Sequence, residues 1–144
     1  MNIRLPVIIG LLLIFASHAF SDLQDGLDAY RGGDYETALE ELKPLAEQGN
    51  ADAQNLVGAM YRYGEGVPED DKEAVKWFTL SAEQGFAFAQ LSLGIMYNLG
   101  EGVPEDDGEA VKWFTLSAEQ GNAEAQLDLG LAYYFGAGVP EDES

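Results

Sequence analysis

Residues 51–86 and 87–122 are two copies of one 36-residue unit, identical at 27 of 36 positions, and a third copy starts at Ala123. Self-similarity at this period restricts the chain to stacked helical units. A unit this short cannot bury its apolar face alone and must share it with a neighbour. The array therefore sets the core, and any variation between copies shows which positions the stacking leaves free.

Each unit reads as a pair of helices. Helix A is expected over Ala51–Tyr63, Ala87–Leu99 and Ala123–Phe135, ending at Gly64, Gly100 and Gly136, where a left-handed residue is wanted. The loop Gly-Glu-Gly-Val-Pro-Glu follows in the first two copies and Gly-Ala-Gly-Val-Pro-Glu in the third, and its proline stops helix A. Asp70 and Asp106 then stand where an N-cap is needed, with Glu73 and Glu109 three residues on, so the spacing predicts a reciprocal capping box at the start of helix B. Helix B carries Ala74, Trp77, Phe78, Ser81 and Ala82 on one stripe, repeated as Ala110, Trp113, Phe114, Ser117 and Ala118. Both tryptophans are expected in the core beside the phenylalanines. Gly85 and Gly121 end helix B.

A shorter, divergent pair precedes the copies over residues 20–50. Asp22–Arg31 reads as helix A, Gly32-Gly33 replaces the long loop, and Asp34 caps a second helix reaching Gln48. Glu41 stands where the tryptophan stands in the full copies, and Pro44 should bend the helix. A terminal unit that exchanges an aromatic for a charge has the character of a cap.

The pattern Ala-x-Ala-Gln-x-x-x-Gly-x-x-Tyr-x-x-Gly-x-Gly-Val-Pro-x-Asp, followed by Ala-x-x-Trp-Phe and Ala-Glu-Gln-Gly, resembles the Sel1-like repeat family, a relative of tetratricopeptide repeats. The resemblance covers Ala51–Asp142, and residues 22–50 more loosely. It implies an α/α superhelix whose A helices line a concave face, and a scaffold or adaptor role common in bacterial envelope processes. Some secreted members are Cys-rich and linked to β-lactam binding or hydrolysis. The paired cysteines they carry in each repeat are absent here, which weakens that carry-over. The expected fold is an all-α right-handed solenoid: a divergent pair over 20–50, repeats over 51–86 and 87–122, and a partial repeat over 123–144. A truncated piece of a longer repeat protein fits the same pattern.

Residues 1–19 have the features of a secretory leader. A short start with Arg4 precedes a twelve-residue apolar run, Leu5–Ala16, and Ser17-His18-Ala19 offers small residues where a signal peptidase cuts. The run is short of the ~20 apolar residues that span a bilayer. Cleavage after Ala19, with Ser21 as the alternative, implies export, most simply to a bacterial periplasm, and no membrane insertion afterwards. It also removes His18, the only histidine, from a chain without cysteine. Ser-His-Asp and Cys-His catalysis and His- or Cys-based metal sites are thereby excluded. A net charge of −19 argues against nucleic acid and anionic membrane as partners. No enzyme activity and no cofactor are expected. The acidic loops Glu65–Asp71 and Glu101–Asp107 offer Ca²⁺ ligands, but not at EF-hand spacing, and Asp70 and Asp106 are already used as caps. Every carboxylate pair recurs with the repeat, unlike a glycosidase pair.

Comparison of the two full copies points to a protein-binding surface. Six of the seven helix-A differences, Asp52/Phe88, Asn55/Leu91, Leu56/Ser92, Ala59/Ile95, Arg62/Asn98 and Tyr63/Leu99, fall in one stripe ~120° wide, with Val57/Leu93 off it. A face that changes while most of the rest is held constant suits a partner protein or peptide. The candidate contacts are Arg62, Phe88, Leu91, Ile95, Asn98 and, in the third copy, Tyr134. Packing within the solenoid is the competing role for the apolar ones. The last helix A should dock through Ala125, Leu129 and Tyr133 and leave Leu127, Leu131, Tyr134 and Phe135 open, so weak self-association through the C-terminal end is expected.

Overall fold

A computed structural model describes residues 23–139. The expected leader over 1–19, its cleavage point and residues 140–144 lie outside the described residues. The fold is all-α: α1 (23–31), α2 (Tyr35–Glu47), α3 (Ala51–Tyr63), α4 (Asp71–Glu83), α5 (Ala87–Leu99), α6 (Asp107–Glu119) and α7 (Ala123–Phe135). Each packs on the next in chain order, as a solenoid requires. No described helix is long and apolar enough to cross a membrane.

The helix ends follow from single residues. Asp34, Asn50, Asp70, Asp106 and Asn122 accept hydrogen bonds from the otherwise unpaired amides of α2, α3, α4, α6 and α7. Gly64, Gly100 and Gly136 close the A helices in the left-handed conformation. The reciprocal half of the expected capping box does not form. The amide of Asp70 donates to the Tyr61 carbonyl at 2.9 Å, and that of Asp106 to Tyr97 at 2.9 Å, which ties the loop back onto helix A. Glu73 and Glu109, so released, pair with Lys76 and Lys112 one turn on. In α2 the helix continues through Pro44 to Glu47.

The core repeats at the same period as the sequence. Ala38, Leu42, Ala46, Ala53, Val57 and Met60 join α2 to α3. Their equivalents Ala74, Phe78, Ala82, Ala89, Leu93 and Met96 join α4 to α5. Ala110, Phe114, Ala125 and Leu91 form the third cluster, between α5, α6 and α7. Phe78 and Phe114 are the buried aromatics, at 2 % and 4 % exposure. Trp77 and Trp113, expected in the core, are only half-buried: each lies at the flank of its helix and covers the cluster before its own. Tyr133, expected as a docking residue of α7, is 61 % exposed. Tyr61 and Tyr97 each touch two successive clusters, whereas Tyr133 has no cluster beyond it among the described residues.

A polar ladder runs beside this core. Gln54 is buried, donates to the Ala46 carbonyl at 3.0 Å and accepts from Gln84 at 2.7 Å. Gln90 does the same with Ala82 at 3.2 Å and Gln120 at 2.7 Å. Ser81 and Ser117 donate to the carbonyls of Ala51 and Ala87 at 2.7 Å. Each buried amide is thus satisfied by groups on the two helices flanking it.

Candidate functional site

Two adjoining cavities, of about 460 and 280 Å³, run along the A helices and share Ile95 and Glu124. The smaller is walled by α3 and α5, with Asn55, Ala59, Arg62, Phe88 and Ser92. The larger lies between α5, α6 and α7, with Leu99, Val111, Phe114, Leu131 and Phe135 as its apolar lining. Ten of the twelve stripe positions of the first two units line this groove, all but Asp52 and Leu56, and four stripe positions of the third unit, Glu124, Asp128, Leu131 and Phe135, continue it. The stripe is therefore the groove wall, while Val57 and Leu93, which also differ between the copies, lie off the stripe in the core.

The six candidate contact residues separate on inspection. Phe88 stands on the rim at 62 % exposure, with its ring 5.9 Å from Phe86. Ile95 is half-buried between the two cavities. Arg62 donates to Glu101 at 2.9 Å and lies over the Tyr63 ring, so its charge is already matched. Asn98 donates to Asp107 at 3.0 Å. Leu91 is only 6 % exposed, because its edge of α5 faces the next helix pair; it forms floor rather than contact surface. Tyr134 is 81 % exposed and set edge-on to Phe135, but it lines neither cavity.

The groove is acidic above an apolar floor. Asp107, Glu124 and Asp128 all border the larger cavity. Burial, and then the negative charge of Glu124, push the Asp128 carboxyl above the usual carboxylate range. Neither acid was singled out from the sequence. Their signal was present all the same, since they occupy in the third copy the stripe positions of Phe88 and Ser92. The loop glutamates are engaged elsewhere: Glu65 accepts from Tyr30 at 2.8 Å, and Glu101 from Arg62. Burial and the bond to Glu65 hold the Tyr30 phenol well above its ordinary pKa. Among the described residues no group of three or more His, Cys, Asp or Glu side chains is gathered as a metal site.

Comparisons with known proteins place this geometry. Residues 51–86, 87–122 and 123–144 each match the Sel1 repeat. A crystal structure of a Sel1 repeat protein from Oxalobacter formigenes superposes with a TM-score of 0.79 at 37 % identity, over 84 % of this chain and 48 % of that one. A protective antigen of uropathogenic Escherichia coli with an SLR fold superposes with a TM-score of 0.83 at 37 % identity, over 98 % of this chain and 31 % of that one. An exopolysaccharide production negative regulator of Rhizobium meliloti is 35 % identical over 63 residues, which span 44 % of this chain and 24 % of the regulator. The chain thus spans less than half the length of each.

Proposed function

The chain belongs to the Sel1 repeat family, and from that premise we propose that it is a non-enzymatic scaffold that holds a segment of a partner protein in the groove of α3, α5 and α7. The observation that carries this reading is the coincidence of the copy-variable stripe with the groove wall. Most positions that face the core are the same in both full copies, and ten of the twelve stripe positions that differ converge on one groove. Sel1 repeats generally serve as protein-interaction modules, which supports the same reading.

The lining sets the chemistry of the guest. Ile95, Leu99, Leu131 and Phe135 favour apolar side chains, while Asp107, Glu124 and Asp128 call for a cation at the α7 end. The fitting guest is a peptide segment with apolar residues and a Lys or Arg. The leader-like residues 1–19 support an encounter outside the cytoplasm, in the bacterial envelope, and the negative charge would speed the approach of a basic partner.

Selection of displayed random peptides on the chain tests this. Enrichment of apolar-basic sequences is expected, with binding lost when Leu131→Arg fills the acidic end with its own cation. Enrichment that ignores Leu131→Arg and Phe88→Asp alike would place binding elsewhere on the molecule.

A further inference from the structure

We infer that the corner of the larger cavity at Asn98, Asp107, Asp128 and Ala137 is a subsite for an arginine side chain of the guest, in the place that the chain's own Arg62 fills one unit earlier. This rests on the reading of the groove as a peptide site and narrows it to one cation at one position.

The loop after each helix A is clasped by the unit before it. Glu65 accepts from the Tyr30 hydroxyl at 2.8 Å, and Glu101 accepts from the Arg62 guanidinium at 2.9 Å. In the second clasp the arginine side chain is only 14 % exposed, and its guanidinium lies over the Tyr63 ring.

One period on, both partners are gone. Asn98 stands where Arg62 stands and Ala137 where Glu101 stands. Both line the larger cavity, whereas Glu101 lines neither cavity. Over the same period Phe88 and Ser92 give way to Glu124 and Asp128. The corner has thus lost its cation and gained two carboxylates beside Asp107, and among the described residues no Lys or Arg lines it. Asn98 donates to Asp107 at 3.0 Å, one neutral donor where the equivalent arginine supplies a charged fork.

The opening is set by these substitutions, not by where the sequence ends. Its walls are α5, α6, α7 and Ala137. A further helix pair would pack on the other side of α7, as α6 packs on α5. In the first unit, which has such pairs beyond it, the corner is filled from within by Arg62.

Arginine suits the corner better than lysine for two reasons. The planar guanidinium can address carboxylates on two helices at once, here Asp107 on α6 and Asp128 on α7, where an ammonium acts as a point charge. It is also more weakly hydrated, so it is brought more cheaply against Leu99, Phe114 and Phe135 of the same cavity.

The test titrates the full chain with N-acetyl-arginine methylamide, and separately with its lysine analogue, while NMR follows the backbone amides. Low ionic strength keeps the charges least screened. Saturable shifts in the millimolar range are expected, grouped on Asn98, Asp107, Asp128 and Ala137, with the lysine probe several-fold weaker. Asn98→Arg combined with Ala137→Glu rebuilds the clasp of the first unit and should remove the arginine shifts. Asp128→Asn, which adds no bulk, should weaken the arginine probe roughly fivefold or more, as loss of a charge-assisted hydrogen bond does. Absence of saturable shifts at these amides, equal affinity for the two probes, or arginine shifts that persist in both variants overturns the proposal. The groove reading has its own readout, the enrichment of displayed peptides and its loss in Leu131→Arg, and stands or falls on that.

Discussion

Gly102 rests against the Asp71 carbonyl: a Cβ on it would lie 2.3 Å from that oxygen. Gly66 stands the same way on Tyr35, at 2.6 Å, and Gly138 on Asp107, at 2.1 Å. The loop of each unit thus lies on the first turn of the preceding helix B. The middle glycine of Gly-x-Gly answers two demands at once, a left-handed backbone and a close approach. Units are locked in register by backbone contact as well as by apolar packing.

Gly102→Ala should therefore cost more than the same change at Gly121, where φ is +89° but nothing lies within 4 Å. The left-handed penalty alone is ~1–2 kcal/mol, and overpacking against a fixed carbonyl adds ~1–3 kcal/mol. Urea midpoints of the two variants decide it; equal losses would remove the interlocking role of the loop.

The glutamine ladder gives a prediction that depends on the copy. Gln54→Leu removes two hydrogen bonds of a buried side chain, to the Ala46 carbonyl, which keeps the Gly49 amide, and from the exposed Gln84, and a loss of ~1 kcal/mol is expected. Gln126→Leu changes an exposed residue and should stay within ~0.5 kcal/mol of the parent. Chemical denaturation of both, at one pH, measures the difference.

The aromatic pair on helix B divides unequally. Phe78→Ala removes a ring at 2 % exposure and should cost ~3–5 kcal/mol. Trp77→Ala removes a half-buried one and should cost clearly less, although tryptophan is the larger residue. Trp113 fluorescence can follow unfolding in Trp77→Ala, and calorimetry serves for both.

The period, the helix bounds and the capping aspartates were legible in the sequence because each rests on local chemistry: a glycine that must be left-handed, a proline that stops a helix, an oxygen beside unpaired amides. The groove wall was legible for a different reason. Stacking keeps most packing positions the same in both copies, with Val57/Leu93 the exception, so the differences concentrate on the groove stripe. What stayed hidden depends on which flank of a helix meets which neighbour. Leu91 and Ile95 share a stripe, yet one faces the next pair and the other the groove. Trp77 and Phe78 are adjacent, yet only the phenylalanine points at a helical glycine. Glu73 fits a capping box by spacing, but the Asp70 amide it would satisfy is taken by the Tyr61 carbonyl, a contact set by the loop's path.

Asp70→Ala and Asp106→Ala should each lower stability by ~1 kcal/mol, the usual worth of an N-cap. Asp70 accepts from two amides and Asp106 from one, so the loss at Asp70 is expected to be the larger. Urea melts with and without Ca²⁺ check this. A midpoint that moves only when Ca²⁺ is present would make these aspartates ligands rather than caps.

Asp128 supplies the pH dependence. Its carboxyl is held above the ordinary range first by burial and then by Glu124, so the folded chain binds this proton more tightly than the unfolded chain does. The resulting stabilisation is complete below the unfolded pKa and is lost as pH rises through the higher folded value. Above that folded pKa the fold carries an ionised Asp128 beside Glu124, and among the described residues no Lys or Arg forms an ion pair with it. Asp128→Asn should accordingly raise the melting temperature at pH 7, by roughly 1–3 °C for a domain of this size, and leave it unchanged near pH 3, where both forms are neutral. The groove reverses the sign for a guest. A peptide that places Lys or Arg beside Asp128 needs the carboxylate, so its affinity should fall as pH drops from 7 to 4.5, and less steeply in Asp128→Asn. Calorimetry on the free chain and anisotropy with a selected apolar-basic peptide read the two halves separately. A lower melting temperature for Asp128→Asn at pH 7 would mean that the carboxylate stabilises the fold, and its assignment as an unmatched charge awaiting a cation would fail.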